Sequence, residues 1–328
     1  MTTVSASQLS QINYFKELKK AHKSKRNFAD LIGDLLGIKL SAAYARIRGE
    51  QFISYHDMEI LNAYFKVPIK DKYFSLKNPR VGFEVTAFGI KYPLYSWMSD
   101  LLKLFETYSK DPDAHIYYMG SNLHLFYNFS TPNLAAFYIF WLHKFCLSSP
   151  TYKSQKFSIK NALKQPEVPI ATKLWKKYQE ISSTEIWTRY ILITTIDKIK
   201  EMRRDKFFES EKDYQVLLQD IFKVMEDLDD QAEVGRKKDY PDAVYNLYSL
   251  ELKHESNMAI VKAHGSLHLF NLLNNRTILM SMDEDFCGAQ LHDFTSKLKN
   301  SKPLSTGNRQ ERHRIMNEYK EEMAKLSR

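Results

Sequence analysis

Cysteine is almost missing from this chain. Only Cys146 and Cys287 occur in 328 residues, far apart in sequence, so neither a disulfide framework nor a cysteine-based zinc site is indicated. Long apolar runs are missing too. The most hydrophobic stretch, Leu134 to Leu142, has nine residues, against the roughly 20 that a membrane-spanning helix needs. The opening MTTVSASQLSQIN has neither the basic nor the apolar block of a secretory signal, so a cytoplasmic protein with no membrane partner is expected. No glycine-rich phosphate loop follows a strand, and neither an HExxH helix nor a nucleophile elbow occurs. Carboxylates do not group with a histidine and a nucleophile. On this reading the chain is not an enzyme, and no catalytic residue, cofactor or metal is assigned.

What is present is ordinary in amount and uneven in placement. Apolar residues make up 44% and charged residues 27%, values of a folded globular chain. Twenty Tyr, twenty Phe and four Trp supply large surfaces to bury. The net charge is +9, and residues 1–75 hold twelve Lys/Arg against seven Asp/Glu while the other 253 hold 36 against 32. More than half of the positive excess thus sits in less than a quarter of the chain, which points to a polyanionic partner for the N-terminal part.

Residues 8–25 place Ile12, Phe15 and Leu18 on one face with lysines between them, an amphipathic helix. Asn27 is positioned to cap a second helix, FADLIGDLL, which Gly37 ends. A third helix, about Leu40 to Arg48, is closed by Gly49. A fourth, about Ser54 to Phe65, stops before Val67-Pro68. Beyond a linker at 76–90 the pattern changes. A helix is expected over Tyr95 to Tyr108, then a hairpin of His115–Tyr118 and Leu123–Phe129. Pro132 opens a very apolar helix to about Cys146, and residues 148–170 form a loop. Ser182-Ser183-Thr184-Glu185 has the pattern of a capping box that starts a helix to about Arg204, followed by a helix over Lys212 to Ala232. Strands return at Tyr245–Leu252, Met258–Ala263, Leu267–Leu272 and Thr277–Met282. From Asn308 a charged helical tail carries Ile315, Tyr319 and Met323 at four-residue spacing. Three polar groupings have structural explanations: a turn for His264 and His268 around Gly265, a solvated helix face for Glu226-Asp227-Asp229-Asp230, and a loop or helix start for Asp283-Glu284-Asp285.

The informative segment is Ala29 to Gly49, ADLIGDLLGIKLSAAYARIRG. Two helices that cross steeply through a short turn need a small residue at the crossing, a residue tolerant of positive φ in the turn, and apolar flanks. Gly33, Gly37, and Ile32, Leu36, Ile38 and Ala43 meet these needs. A glycine within a helix costs roughly 1 kcal/mol against alanine, so Gly33 is read as a close-packing position. With the run Gly37 to Glu50, this segment resembles the Cro/repressor class of helix-turn-helix proteins, over residues about 8–70. Two positions depart from that pattern: Lys39 stands where Ser or Thr usually caps the recognition helix, and Arg46 stands where an apolar residue is usual.

The resemblance implies insertion of the third helix into the major groove of duplex DNA. By it, Lys39, Leu40, Ser41, Tyr44 and Ala45 face bases, while Asn27, Arg46, Arg48 and Gln51 hold phosphates. The expected architecture is mainly α, a helix-turn-helix module at 1–75 followed by a larger α+β region at 91–300 with a small antiparallel sheet, and a tail at 301–328. The expected function is sequence-specific transcriptional regulation by a homodimer. The C-terminal region would dimerise or sense, with room for an unidentified effector ligand or protein. The alternative is an enzymatic or protein-interaction C-terminal domain that the module places or autoregulates. Single-stranded nucleic acid fits less well, since the aromatics fall in core segments rather than along a basic sheet.

Overall fold

The computed structural model describes residues 6–22, 26–65, 81–89, 91–188, 191, 193–251, 257–274 and 276–324. The chain divides into two compact units, Met1–Gly82 and Phe83–Arg328.

Unit 1 is built from α1 (Ala6–Ala21), α2 (Phe28–Leu36), α3 (Leu40–Ile47) and α4 (Tyr55–Phe65). The Asn27 side chain caps α2, its Oδ1 accepting from Ala29 N at 2.9 Å, and Gly37 ends α2 in the left-handed region at φ 64°. Ser54 and Asp57 open α4 reciprocally: Asp57 N donates to Ser54 Oγ at 3.0 Å and Ser54 N to Asp57 Oδ2 at 3.1 Å, a capping box. Phe15, Leu18, Ile32, Ala43 and Leu61 close the core of this unit. Gly33 is a tight position, as expected, although its neighbour is the turn and not the next helix. A Cβ there would sit 3.1 Å from the Ile38 carbonyl oxygen.

Unit 2 is organised by a nine-stranded sheet: β1 (Glu84–Ala87), β2 (His115–Gly120), β3 (Ser182–Thr188), β4 (Arg236–Lys237), β5 (Tyr240–Leu250), β6 (Asn257–Ala263), β7 (Ser266–Asn274), β8 (Thr277–Ser281) and β9 (Lys302–Pro303). Its order is β1-β8-β7-β6-β2-β3-β5-β4, with β9 also on β5. β2, β3 and β5 run parallel, and the other pairs are antiparallel. The larger core lies where one face of the sheet meets α5 (Leu94–Tyr108), α6 (Pro132–Trp141), α8 (Glu167–Gln179), α9 (Ile193–Arg204), α10 (Glu211–Val234) and α12 (Arg309–Ala324). A smaller core, including Met119, Ile186, Ile260, Cys287 and Phe294, joins the sheet to α11 (Glu284–Lys299). The short α7 (Ile159–Ala162) precedes α8. Among the described residues no helix is long and apolar enough to cross a membrane.

The sheet is therefore larger than the small antiparallel one expected, and mixed. The main difference lies at 182–188. These residues are not a helix start but β3, buried between two parallel neighbours from Ser183 to Thr188. A strand covered on both faces shows no alternation, so the Ser-Ser-Thr-Glu spelling reads as a cap. The helix begins later, at Ile193. Leu123–Phe129 is likewise no hairpin strand. Leu125–Phe129 coils into a 3₁₀ turn, with His124 Nδ1 accepting from Phe126 N at 3.4 Å, and β2 pairs with β3 and β6 instead.

Part of the expected 76–90 linker belongs to the sheet, because β1 pairs with β8; residues 76–80 and 90 lie outside the described residues. The tail is not separate either. β9 adds to β5, and Ile315, Met316 and Tyr319 are buried in the core of unit 2. Arg312 is buried as well, its Nε 2.8 Å from Asp229 Oδ1 and its Nη1 donating to the Leu304 carbonyl at 3.2 Å. The Met323 side chain lies outside the described ones.

Candidate nucleic-acid interface

The third helix divides cleanly by exposure. Ala43 is fully buried, while Leu40, Ser41 and Tyr44 are exposed and Ala45 is half-buried. Positions i, i+1, i+4 and i+5 share one face of an α-helix, so these four residues form the outward surface and Ala43 anchors the opposite one. Lys39 is exposed just before the helix and provides no side-chain cap.

The residues expected at phosphates are arranged less uniformly. Asn27 is exposed at the start of α2, and its Nδ2 donates to the Tyr44 hydroxyl at 3.5 Å. That contact brings the cap of α2 beside the outward face of α3, where backbone N–H groups and a helix dipole favour an anion. Arg48 and Gln51 are exposed. Arg48 is clamped by its near neighbour: Nε donates to Glu50 Oε1 at 2.7 Å and Nη2 to Oε2 at 2.8 Å. That pairing holds the Glu50 carboxyl below the usual carboxylate range. A phosphate that takes the Nε/Nη2 edge of Arg48 must displace Glu50.

Arg46 differs from its expected placement. Its side chain is only 15% exposed, with Nε 3.8 Å from Asp57 Oδ2, and Nη1 donates to Gln51 Oε1 at 3.3 Å. The guanidinium thus lies against the start of α4 and joins two helices of the module. This accounts for a cation at a position where an apolar residue is usual.

One organising residue was not singled out in the sequence. Gln11 on α1 is 7% exposed. Its Nε2 donates to the Arg46 carbonyl at 2.6 Å and the Gln51 carbonyl at 2.7 Å, and its Oε1 accepts from Ile53 N at 3.1 Å. The Gln11 amide therefore fixes the chain leaving α3. Gly49, at φ 74°, lets that chain pass α1 closely, since a Cβ there would be 3.1 Å from the Gln8 carbonyl oxygen. The available signal was Gln11 at i, with Phe15 at i+4 and Leu18 at i+7: a polar residue inside the buried stripe.

Unit 2 has a different polar feature. Glu185 on β3 and Lys237 on β4 have fully buried side chains, with Lys237 Nζ 3.8 Å from Glu185 Oε1. The carboxylate also accepts from Ser183 Oγ at 3.0 Å, Trp187 Nε1 at 2.9 Å and the Tyr127 hydroxyl at 3.3 Å, and it is hydrogen-bonded to the Tyr178 hydroxyl. Lys237 makes no hydrogen bond among the described residues; its ammonium lies 3.8 Å from the centre of the Tyr178 ring and 4.6 Å from that of Tyr245. Burial pushes its pKa down to about 7, partly offset by the Glu185 charge.

Among the described residues no group of three or more His, Cys, Asp or Glu could hold a metal ion. His268 Nδ1 is hydrogen-bonded to the Tyr108 hydroxyl, and His264 Nε2 lies 3.1 Å from the Thr107 carbonyl, so both rings meet α5. In the acidic run, Asp227 pairs with Lys238 and Asp229 with Arg312. Comparison with protein-family models, curated proteins and solved structures finds no match.

Proposed function

We propose that unit 1 reads duplex DNA in the major groove and that the chain is a sequence-specific transcriptional regulator. The observation that carries this reading is the division of α3. Leu40, Ser41 and Tyr44 stand outward without serving the core, Ala43 holds the helix from behind, and the cap of α2 lies beside Tyr44. Leu40 and Tyr44 stand outward on an eight-residue helix, where a thymine methyl and a base edge would give them partners. Lys39 and the positive balance of residues 1–75 add the sequence-independent attraction to phosphates that such binding requires.

The homodimer is part of the same proposal. One recognition helix covers only a few base pairs, and two modules on half-sites one turn apart, about 34–36 Å, make a usable site. The stripe of Ile315 and Tyr319 is not the tether, being spent on the core of unit 2. In vitro selection of random duplexes by the purified full chain, followed by sedimentation of the protein with its best site, tests both statements. A palindromic motif occupied by two copies is expected. Failure of any motif to enrich above the input pool would end the DNA reading, and one copy on a single half-site would end the dimer.

A further inference from the structure

Beneath α5, α6 and α9, against β2, β6 and β7, lies a cavity of about 130 Å³. Natural cores leave few voids larger than a water molecule, and an engineered apolar cavity of about 150 Å³ takes up benzene. The walls are mostly aromatic and aliphatic, with Trp97, Phe105, Phe126 and Val261 among them. The polar atoms at one end are already used: the Tyr118 hydroxyl donates to the Asn122 carbonyl at 2.5 Å, and Asn122 N donates to the Asn257 Oδ1 at 3.0 Å. At the α9 wall stand Thr194, Thr195 and Lys198.

Lys198 is the one charged side chain among the described lining residues. It is half-buried, and its ammonium lies 4.5 Å from the centre of the Trp141 ring and 5.8 Å from that of Tyr138. No described carboxylate lies within ion-pair distance of it. Burial lowers its pKa from the ordinary lysine value. A cation drawn partly out of water, with ring faces and the Cys146 thiol near it and no described carboxylate to pair with, is undercompensated. An apolar chamber with one such cation at its wall matches a compact apolar body that carries one negative charge.

We propose that this cavity binds a small lipophilic monocarboxylate, its body about the size of a benzene ring or a short alkyl chain against the aromatic walls and its carboxylate on Lys198. The inference stands on unit 2 alone and does not rest on the DNA reading.

Calorimetric titration of the full chain with hexanoate and benzoate, against the uncharged hexanamide and benzamide, tests it. For the parent protein each acid should bind at least about tenfold tighter than its amide, the contribution of one charge-assisted hydrogen bond. Lys198→Met keeps most of the stem over Trp141 and removes the charge. It should bring the acids down to the amides and leave amide affinity unchanged. Ala259→Leu, which fills the chamber from β6, should abolish binding of all four. Absence of saturable binding to the parent up to about 10 mM, the weak limit for ligands of so few atoms, would overturn the proposal. So would acids no tighter than amides on the parent, a comparison that needs no variant to fold. Undiminished acid binding to a cooperatively folding Lys198→Met protein would remove Lys198 from the site.

Discussion

The two units differ in the charges they bury. In unit 1 the ion pairs lie at or near the surface: Arg26 with Asp34, Arg48 with Glu50, and Arg46, less exposed, with Asp57. In unit 2 a glutamate and a lysine are sealed under the sheet with Tyr127, Tyr178 and Tyr245 around them. Exposed pairs exchange partners at little cost. A buried carboxylate is held by every donor aimed at it and cannot be vacated cheaply. The surface pairs of unit 1 can therefore exchange partners at little cost, while the buried Glu185 centre of unit 2 keeps a single arrangement.

The sharpest way to break this contrast is Glu185→Leu. It leaves the Tyr127, Tyr178, Ser183 and Trp187 donors and the Lys237 cation in the core without their acceptor, which should cost unit 2 about 3–5 kcal/mol. All four tryptophans lie in unit 2, so urea unfolding followed by Trp fluorescence reports that unit. A midpoint unmoved from the parent's would show that the buried centre is inert.

The largest effect expected in unit 1 comes from Gln11→Ala. The Ile53 amide and the Gln51 carbonyl lose their partner and the Arg46 carbonyl keeps only Gly49 N, at about 1–3 kcal/mol for partly buried groups left unsatisfied. Amide exchange over residues 46–53 should quicken while the Trp-reported transition stays in place. Protection unchanged over that stretch would count against the clamp.

Ser41→Ala and Tyr44→Ala should leave unfolding nearly untouched, since both side chains are exposed. What they should lose is discrimination, by about 1–3 kcal/mol between the selected site and single-base variants of it. If both proteins rank the variants as the parent does, α3 is not the reading helix. That outcome would leave the geometry of unit 1 standing and remove its proposed use.

The legibility of the sequence follows the same division. The four helices of unit 1 are visible because each is short, half-buried and punctuated: Asn27, Gly37, Gly49 and the Ser54/Asp57 pair act within a few residues of their own position. The inward turn of Arg46 was hidden, because it depends on Asp57 eleven positions later. In unit 2 strands β5 to β8 and the helices α6 and α10 can be read from pattern. β3 cannot, since its burial on both faces comes from neighbours distant in sequence. The Glu185–Lys237 centre is hidden for that reason too: Glu185 sits inside what spells a helix cap, and its partners beyond β3 come from three separate segments of the chain, at Tyr127, Tyr178 and Lys237.

A second effect in unit 2 depends on pH. Lys237 is held down to about 7 in the fold against 10.5 ordinarily. Between those values the unfolded chain binds the additional proton, so this group makes the fold more stable as pH rises. Below about 7 the lysine is charged in both states and the gain vanishes. Unfolding midpoints of the parent relative to Lys237→Met should therefore rise from about pH 6.5 to about pH 9.5. A constant difference would show that Lys237 titrates alike in both states.

The smallest expected change in stability, and the finest test of the surface contacts, is Glu50→Gln. Arg48 and Glu50 are both exposed, so removing the carboxylate should barely move the unfolding of unit 1. Its effect should appear on DNA, because Glu50 competes with phosphate for the same guanidinium face. If Arg48 holds the backbone, Arg48→Ala weakens binding to all duplexes alike and lowers the slope of log affinity against log salt by about one. Glu50→Gln should strengthen binding to all duplexes alike. The decisive comparison is the double variant. A carboxylate that acts by occupying Arg48 has nothing to block once Arg48 is alanine, so Glu50→Gln should then give almost no gain. A carboxylate that acts as a general negative charge near the duplex gives the same gain in either background. Equal gains in the presence and absence of Arg48 would separate Glu50 from the arginine, and an unchanged salt slope for Arg48→Ala would remove Arg48 from the phosphate-holding residues.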